Sequence, residues 1–137
     1  MGRISIVGDE NFRSRRRVQS YMRSLYDEYG NTAFIRTGGS DNMCENLVKK
    51  LAIEYGMGFK EYNPAYTGYR MYSAMNESYY KGKRFHITQL HSRYDKMLRD
   101  TDLLVIFLDE STKDIQKSMK HLLKKAKKMN IPISIIN

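Results

Sequence analysis

The sequence predicts an α/β fold, a three-layer sandwich of about five parallel strands with helices on both faces. Three observations carry this. Apolar runs of strand length alternate along the chain with segments of helical periodicity. Leu103 to Leu108 is apolar without a break, the mark of a strand covered on both faces. Glycines stand where strands give way to helices, at Gly8 and at Gly38-Gly39.

Arg3-Ile4-Ser5-Ile6-Val7 reads as the first strand, ending at Gly8. Val18, Tyr21, Met22, Leu25 and Tyr29 then recur at helical spacing, with Asn11 or Ser14 as the cap and Gly30 as the stop. Ala33-Phe34-Ile35 forms a short second strand. After Gly38-Gly39, a second helix places Leu47, Val48, Leu51, Ala52 and Tyr55 on one face and stops at Gly56. Residues 57 to 62 suggest a third strand. Residues 63 to 85, with Pro64 and several tyrosines, show little pattern apart from a short helix around Ser73 to Tyr79. Ile87, Leu90, His91, Tyr94, Met97 and Leu98 mark a third helix. The apolar strand 103 to 108 follows. Ser111 and Asp114 frame a last helix with Ile115, Met119, Leu122, Leu123 and Ala126 inward. Its lysines, Lys117, Lys120, Lys124, Lys125, Lys127 and Lys128, face outward, and Ile131 to Ile136 closes the sheet.

The chain of 137 residues reads as one domain, 1–137, long enough for a real core. A hydrophobic fraction of 41% argues against global disorder. No apolar run approaches the ~20 residues that span a bilayer, so no membrane segment is expected. The opening Met-Gly-Arg-Ile-Ser-Ile-Val enters a strand pattern directly, with no signal peptide. Cys44 is the only cysteine and reads as a small buried filler, which fits a reducing, cytoplasmic setting. The net charge of +9 points to phosphate-bearing molecules or acidic proteins as partners.

In a parallel sheet the carboxyl ends of all strands share one edge, and ligands bind there where the strand order reverses. The loops on that edge are 8 to 11, 37 to 42, 62 to 63 and 109 to 112. Three of them lead into helix N-termini, which attract anions. Gly8, Asp9, Gly38, Gly39 and Ser40 are therefore ligand-binding candidates, with the paired glycines letting a phosphate or sugar approach the main chain. A tight turn without a ligand explains the same pair. Arg93 is a candidate for bidentate phosphate binding or a surface arginine. Glu45 reads as a ribose contact, a catalytic carboxylate, or a capping partner of Asn42. Asp9 and Glu10 stand ready for a sugar or a water, or simply face solvent. Ser111 and Thr112 suit a phosphate, a cap, or both.

Other chemistries find less support. Gly-x-Gly-x-x-Gly and P-loop patterns are absent, so no standard NAD or ATP site and no cofactor is expected. His86, His91 and His121 lack ligand spacing, and no metal is expected. Arg13, Arg15, Arg16, Arg17 and Arg23, with the lysines of the last helix, form either a nucleic-acid surface or two solvated faces. Tyr62, Tyr66, Tyr69 and Tyr72 either stack on a base or pack their own loop.

Several segments together resemble the YspA-like branch of the SLOG superfamily, relatives of the LOG proteins and of the DprA core. "RISIVGDENF" is similar to that branch's opening strand with its Gly-x-Arg-x-Phe turn. "TGGSDNMCENLVKKLAIEYGM" resembles its Gly-Gly-Ala-x-Gly-Ala-Asp segment and following helix. "HSRYDKMLRDTDLLVIF" resembles its Arg-Asn-x-x-Met segment and apolar strand, and "ESTKDIQKSMKHLLKKAKKMNIPI" its Gly-Thr-x-Asp helix and last strand. The resemblance implies a five-stranded Rossmann-like sheet, here expected in the order 3-2-1-4-5. It also implies binding of a nucleotide-derived small molecule, by a sensor or sequestering protein or by a hydrolase of the bond between base and ribose phosphate. A homodimer or higher homo-oligomer is a further expectation. Glu10, Met43, Glu45, Tyr94 and Ser111 depart from the pattern, and the LOG signature Pro-Gly-Gly-x-Gly-Thr-x-x-Glu is absent.

Overall fold

The computed structural model describes residues 2–38, 42–62, 94–109 and 117–137. Strand β1 (Arg3–Gly8) leads to helix α1 (Arg15–Tyr29), a single 3₁₀ turn (Gly30–Thr32) and β2 (Phe34–Thr37). Helix α2 (Met43–Glu54) and β3 (Gly58–Glu61) follow. Residues 94–98 form the helical segment α3. Then come β4 (Leu103–Phe107), α4 (Lys117–Lys128) and β5 (Ile133–Ile136).

Among the described residues the five strands form one sheet in the order β3-β2-β1-β4-β5. Every neighbouring pair is parallel. This is the Rossmann-like α/β sandwich, and its order reverses between β1 and β4. The two-residue period of the strands sorts side chains into two apolar layers. Ile4, Ile6, Ile35, Val105 and Phe107 face α1 and α2, where they meet Val18, Met22, Leu25, Leu47 and Val48. Val7, Leu104 and Ile106 face the other way, onto Tyr94, Met97, Leu98, Met119, Leu122 and Ala126 of α3 and α4. Full burial of each large aliphatic side chain contributes roughly 1.5–3 kcal/mol.

One polar pair interrupts the second layer. Ser5 on β1 is fully buried, and its hydroxyl lies 2.8 Å from that of Thr101. Thr101 in turn donates to the Met97 carbonyl at 2.7 Å, so Ser5 donates to Thr101. Arg36 on β2 performs a related task. Its Nη1 donates to the carbonyls of Met97 and Arg99, capping the C-terminal end of α3.

The expected helix ends are present. Ser14 caps α1 by accepting from the Arg17 N–H, and Gly30 follows α1 at a φ of 61°. Asn42 caps α2 by accepting from the Glu45 N–H at 2.9 Å. Strand β2 runs past Ile35 to Thr37, because the polar Arg36 and Thr37 pair with Lys60 and Glu61 of β3. Strand β5 begins at Ile133 rather than Ile131, just past Pro132, whose ring leaves no N–H for a ladder. The irregular segment 63 to 85 and most of the expected third helix lie outside the described residues. No helix among the described residues is long and apolar enough to cross a membrane.

Candidate functional site

The carboxyl edge of the sheet is laced by two acidic side chains. Glu45, in the first turn of α2, is buried. Its Oε1 accepts from the Gly38 N–H at 2.9 Å, and its Oε2 accepts from Asn42 Nδ2 at 3.0 Å. A longer contact of 3.5 Å joins Oε2 to the Gly8 N–H. Asn42 Nδ2 also donates to the Gly8 carbonyl at 3.1 Å. The ends of β1 and β2 are thus both fastened to the start of α2. The Asn42–Glu45 cap is present, but the Glu45 carboxylate reaches beyond it to the neighbouring strand end.

Asp9 does the same on the other side. It is buried, and its N–H extends the ladder by donating to the Phe107 carbonyl at 2.8 Å. Its carboxylate accepts from the Asn11 N–H at 3.2 Å and from the Asp109 N–H at 3.3 Å. The loops that follow β1 and β4 are therefore tied together where the strand order reverses.

The glycines have internal reasons to be small. A Cβ at Gly8 would sit 2.3 Å from the Cβ of Cys44, so β1 and α2 approach closely only because position 8 has no side chain. A Cβ at Gly38 would lie 2.7 Å from Cε1 of Tyr94 and 3.4 Å from Oε1 of Glu45. The space beside Gly38 is filled by the protein's own ring and carboxylate. Cys44 is buried in the same corner. Burial first, then the nearby carboxylates of Glu45 and Asp9, push its thiol up to about 12.

Gly8, Asp9, Gly38 and Glu45 accordingly come together at one edge, with Glu10 exposed on the adjoining loop. Gly39, Ser40, Arg93, Ser111 and Thr112 lie outside the described residues. His121 pairs with Asp95 at 2.8 Å, linking α4 to α3. No group of three or more His, Cys, Asp or Glu among the described residues is placed to hold a metal ion.

An open hollow of about 480 Å³ lies beside this edge, lined by Phe12, Arg13, Ser14, Arg17, Asp109 and Asn137. Its walls are the start of α1 and the loop after β4, so it opens at the point of strand-order reversal. Phe12 is buried with its ring 5.3 Å from that of Phe107, which anchors the loop carrying Arg13 and Ser14. A second hollow of about 510 Å³ runs along the flank of α1 and is lined by Ser14, Arg16, Arg17, Ser20, Tyr21 and Ile136. The sequence points to Arg13, Arg16 and Arg17 only as a basic cluster. A charged helix face has the same pattern whether water or a hollow lies beside it. The usable signal is the sign of the charge: arginines fill the first turn of α1, with no acidic residue there to suit the helix dipole.

No family model matches the chain, and no curated protein matches it at a significant level.

Proposed function

We propose that this protein binds a nucleotide or nucleotide-derived ligand at the carboxyl edge of its sheet, as a cytoplasmic sensor or sequestering protein. The observation that carries this reading is the hollow at the strand-order reversal, walled by Arg13, Arg17 and Ser14 and reaching Asp109 and Asn137. Its size falls within the range of roughly 300–1,000 Å³ common to small-molecule sites. Guanidinium groups present paired N–H donors that match a phosphate. Asp109 and Asn137 offer acceptors and an amide suited to ribose hydroxyls and a base edge. The resemblance to the SLOG superfamily points to the same ligand class.

The bracing carboxylates favour binding over catalysis. Both oxygens of Glu45 accept hydrogen bonds from the strand ends and the cap, so Glu45 holds the edge together. Hydrolysis at an N-glycosidic bond would instead draw on Glu10, which is exposed.

Calorimetric titration with nucleoside monophosphates and NAD derivatives tests the proposal. Saturable binding that weakens about tenfold in Arg13→Gln is expected, as for loss of one charge-assisted phosphate contact. Absence of binding by every nucleotide would remove the reading. Release of free base during incubation would move the assignment to the hydrolase.

A further inference from the structure

We propose that the ligand is longer than a mononucleotide, and that the groove beside α1 takes a short single-stranded oligonucleotide. The inference rests on the nucleotide reading of the hollow at the sheet edge and extends it. The two hollows share Ser14 and Arg17, so they adjoin along α1, one reaching Asp109 and Asn137 and the other Ser20 and Tyr21. Their volumes, about 480 and 510 Å³, each fall in the range of small-molecule sites.

Charge decides the kind of partner. Arg13, Arg15, Arg16 and Arg17 are all exposed. Among the described residues none of the four forms an ion pair, whereas Arg23 further along α1 pairs with Asp27. Like charges thus gather in one short stretch, against the helix dipole and with no ion-pair partner among the described residues. A partner with closely spaced negative charges relieves that repulsion, and a nucleic-acid backbone supplies one charge per nucleotide.

The neutral groups separate a nucleic acid from an acidic peptide. Asp109 lines the groove and would repel a row of carboxylates, while it accepts from sugar hydroxyls and base amino groups. The side chains of Ser14, Ser20 and Asn137 add uncharged hydrogen-bonding groups. Tyr21 adds a ring, and its phenol is pushed up to about 12, chiefly by burial, so it stays a donor. A basic track with interleaved aromatic and polar groups is how single strands are held without a sequence code.

The residues lining only one part allow a clean test. Arg13 lines the edge hollow and Arg16 the flank. Fluorescence anisotropy would compare labelled thymidine monophosphate, labelled oligothymidylate of about eight nucleotides and a labelled polyglutamate of equal charge. The oligomer is expected to bind at least about tenfold more tightly than the monophosphate, with a steeper dependence on salt. Arg16→Gln should weaken the oligomer about three- to tenfold, reduce its salt slope by about one, and leave the monophosphate unchanged. Circular dichroism and thermal melting would verify that the exposed substitution keeps the fold. Equal affinity for monomer and oligomer, an unaltered oligomer affinity in Arg16→Gln, or equally tight polyglutamate overturns the extension alone. Oligomer binding lost in Arg16→Gln but untouched by Arg13→Gln overturns the edge reading instead. No binding of monophosphate or oligomer overturns both.

Discussion

Glu45 Oε1 and the Gly38 N–H meet at 2.9 Å, so a buried side chain of α2 holds the end of β2. The same carboxylate accepts a hydrogen bond from Asn42 Nδ2 at 3.0 Å. Glu45→Ala leaves these donors without their acceptor in a buried corner. The expected loss is about 3 kcal/mol, the scale of a charge-assisted hydrogen bond plus the stranded donors. Urea denaturation of the variant measures it, and an unchanged midpoint would contradict a bracing role.

Gly8→Ala forces a methyl group to within 2.3 Å of the Cβ of Cys44. Overpacking of this kind costs about 1–3 kcal/mol or more. Cys44→Ser gives little rescue, because the severe clash is with Cβ at 2.3 Å and the sulfur lies farther off at 3.1 Å. Equilibrium unfolding of the single and double variants distinguishes the two atoms.

Ser5 and Thr101 form a buried polar pair between β1 and the end of α3. Thr101→Val removes the acceptor for the Ser5 hydroxyl and one of two donors to the Met97 carbonyl, which keeps Arg36 Nη1. A loss of about 1–3 kcal/mol is expected for the stranded Ser5 hydroxyl. Adding Ser5→Ala recovers part of it, since no stranded hydroxyl then remains. A double-mutant cycle yields the coupling.

Cys44 and Tyr21 contribute to the alkaline limb of stability. Their ordinary values are 9.0 and 10.0, and in the fold both groups are pushed up to about 12. The folded chain therefore keeps protons that the unfolded chain gives up. The contribution is fully present below pH 9.0, and it is lost as pH rises toward about 12. Denaturant midpoints taken across that window should fall with rising pH, and Cys44→Ala should flatten the first part of the fall. Native Cys44 should also resist alkylation until the protein unfolds, which mass spectrometry reads directly.

The parts of the fold that declare themselves in the sequence are those set by local repetition. Met22 and Leu25 on α1, and the unbroken run of β4, need only their own neighbours to be recognised. Gly38 illustrates the opposite case. Its glycine reads as an opening for a ligand, yet the ring that fills the space belongs to Tyr94, far along the chain. Glu45 is half legible: Asn42 and the capping spacing are local, but its reach toward Gly8 depends on how β1 lies beside α2. Arg13 and Arg17 reveal their hollow only once Asn137 is brought beside them by the sheet. Chemistry that rests on contacts between distant segments has no period to betray it.

The position of β1 in the middle of the sheet has a consequence for synthesis. One of its edges is matched early by β2, but the other waits for β4, and Arg3 finds Asp102 across 99 residues. A nascent chain halted before Leu103 leaves bare the edge of β1 on which Arg3 and Asp9 bond the β4 side, and loop-closure entropy delays the match even after the missing strand emerges. Truncated products should therefore be the ones that chaperones hold and that aggregate when unguarded.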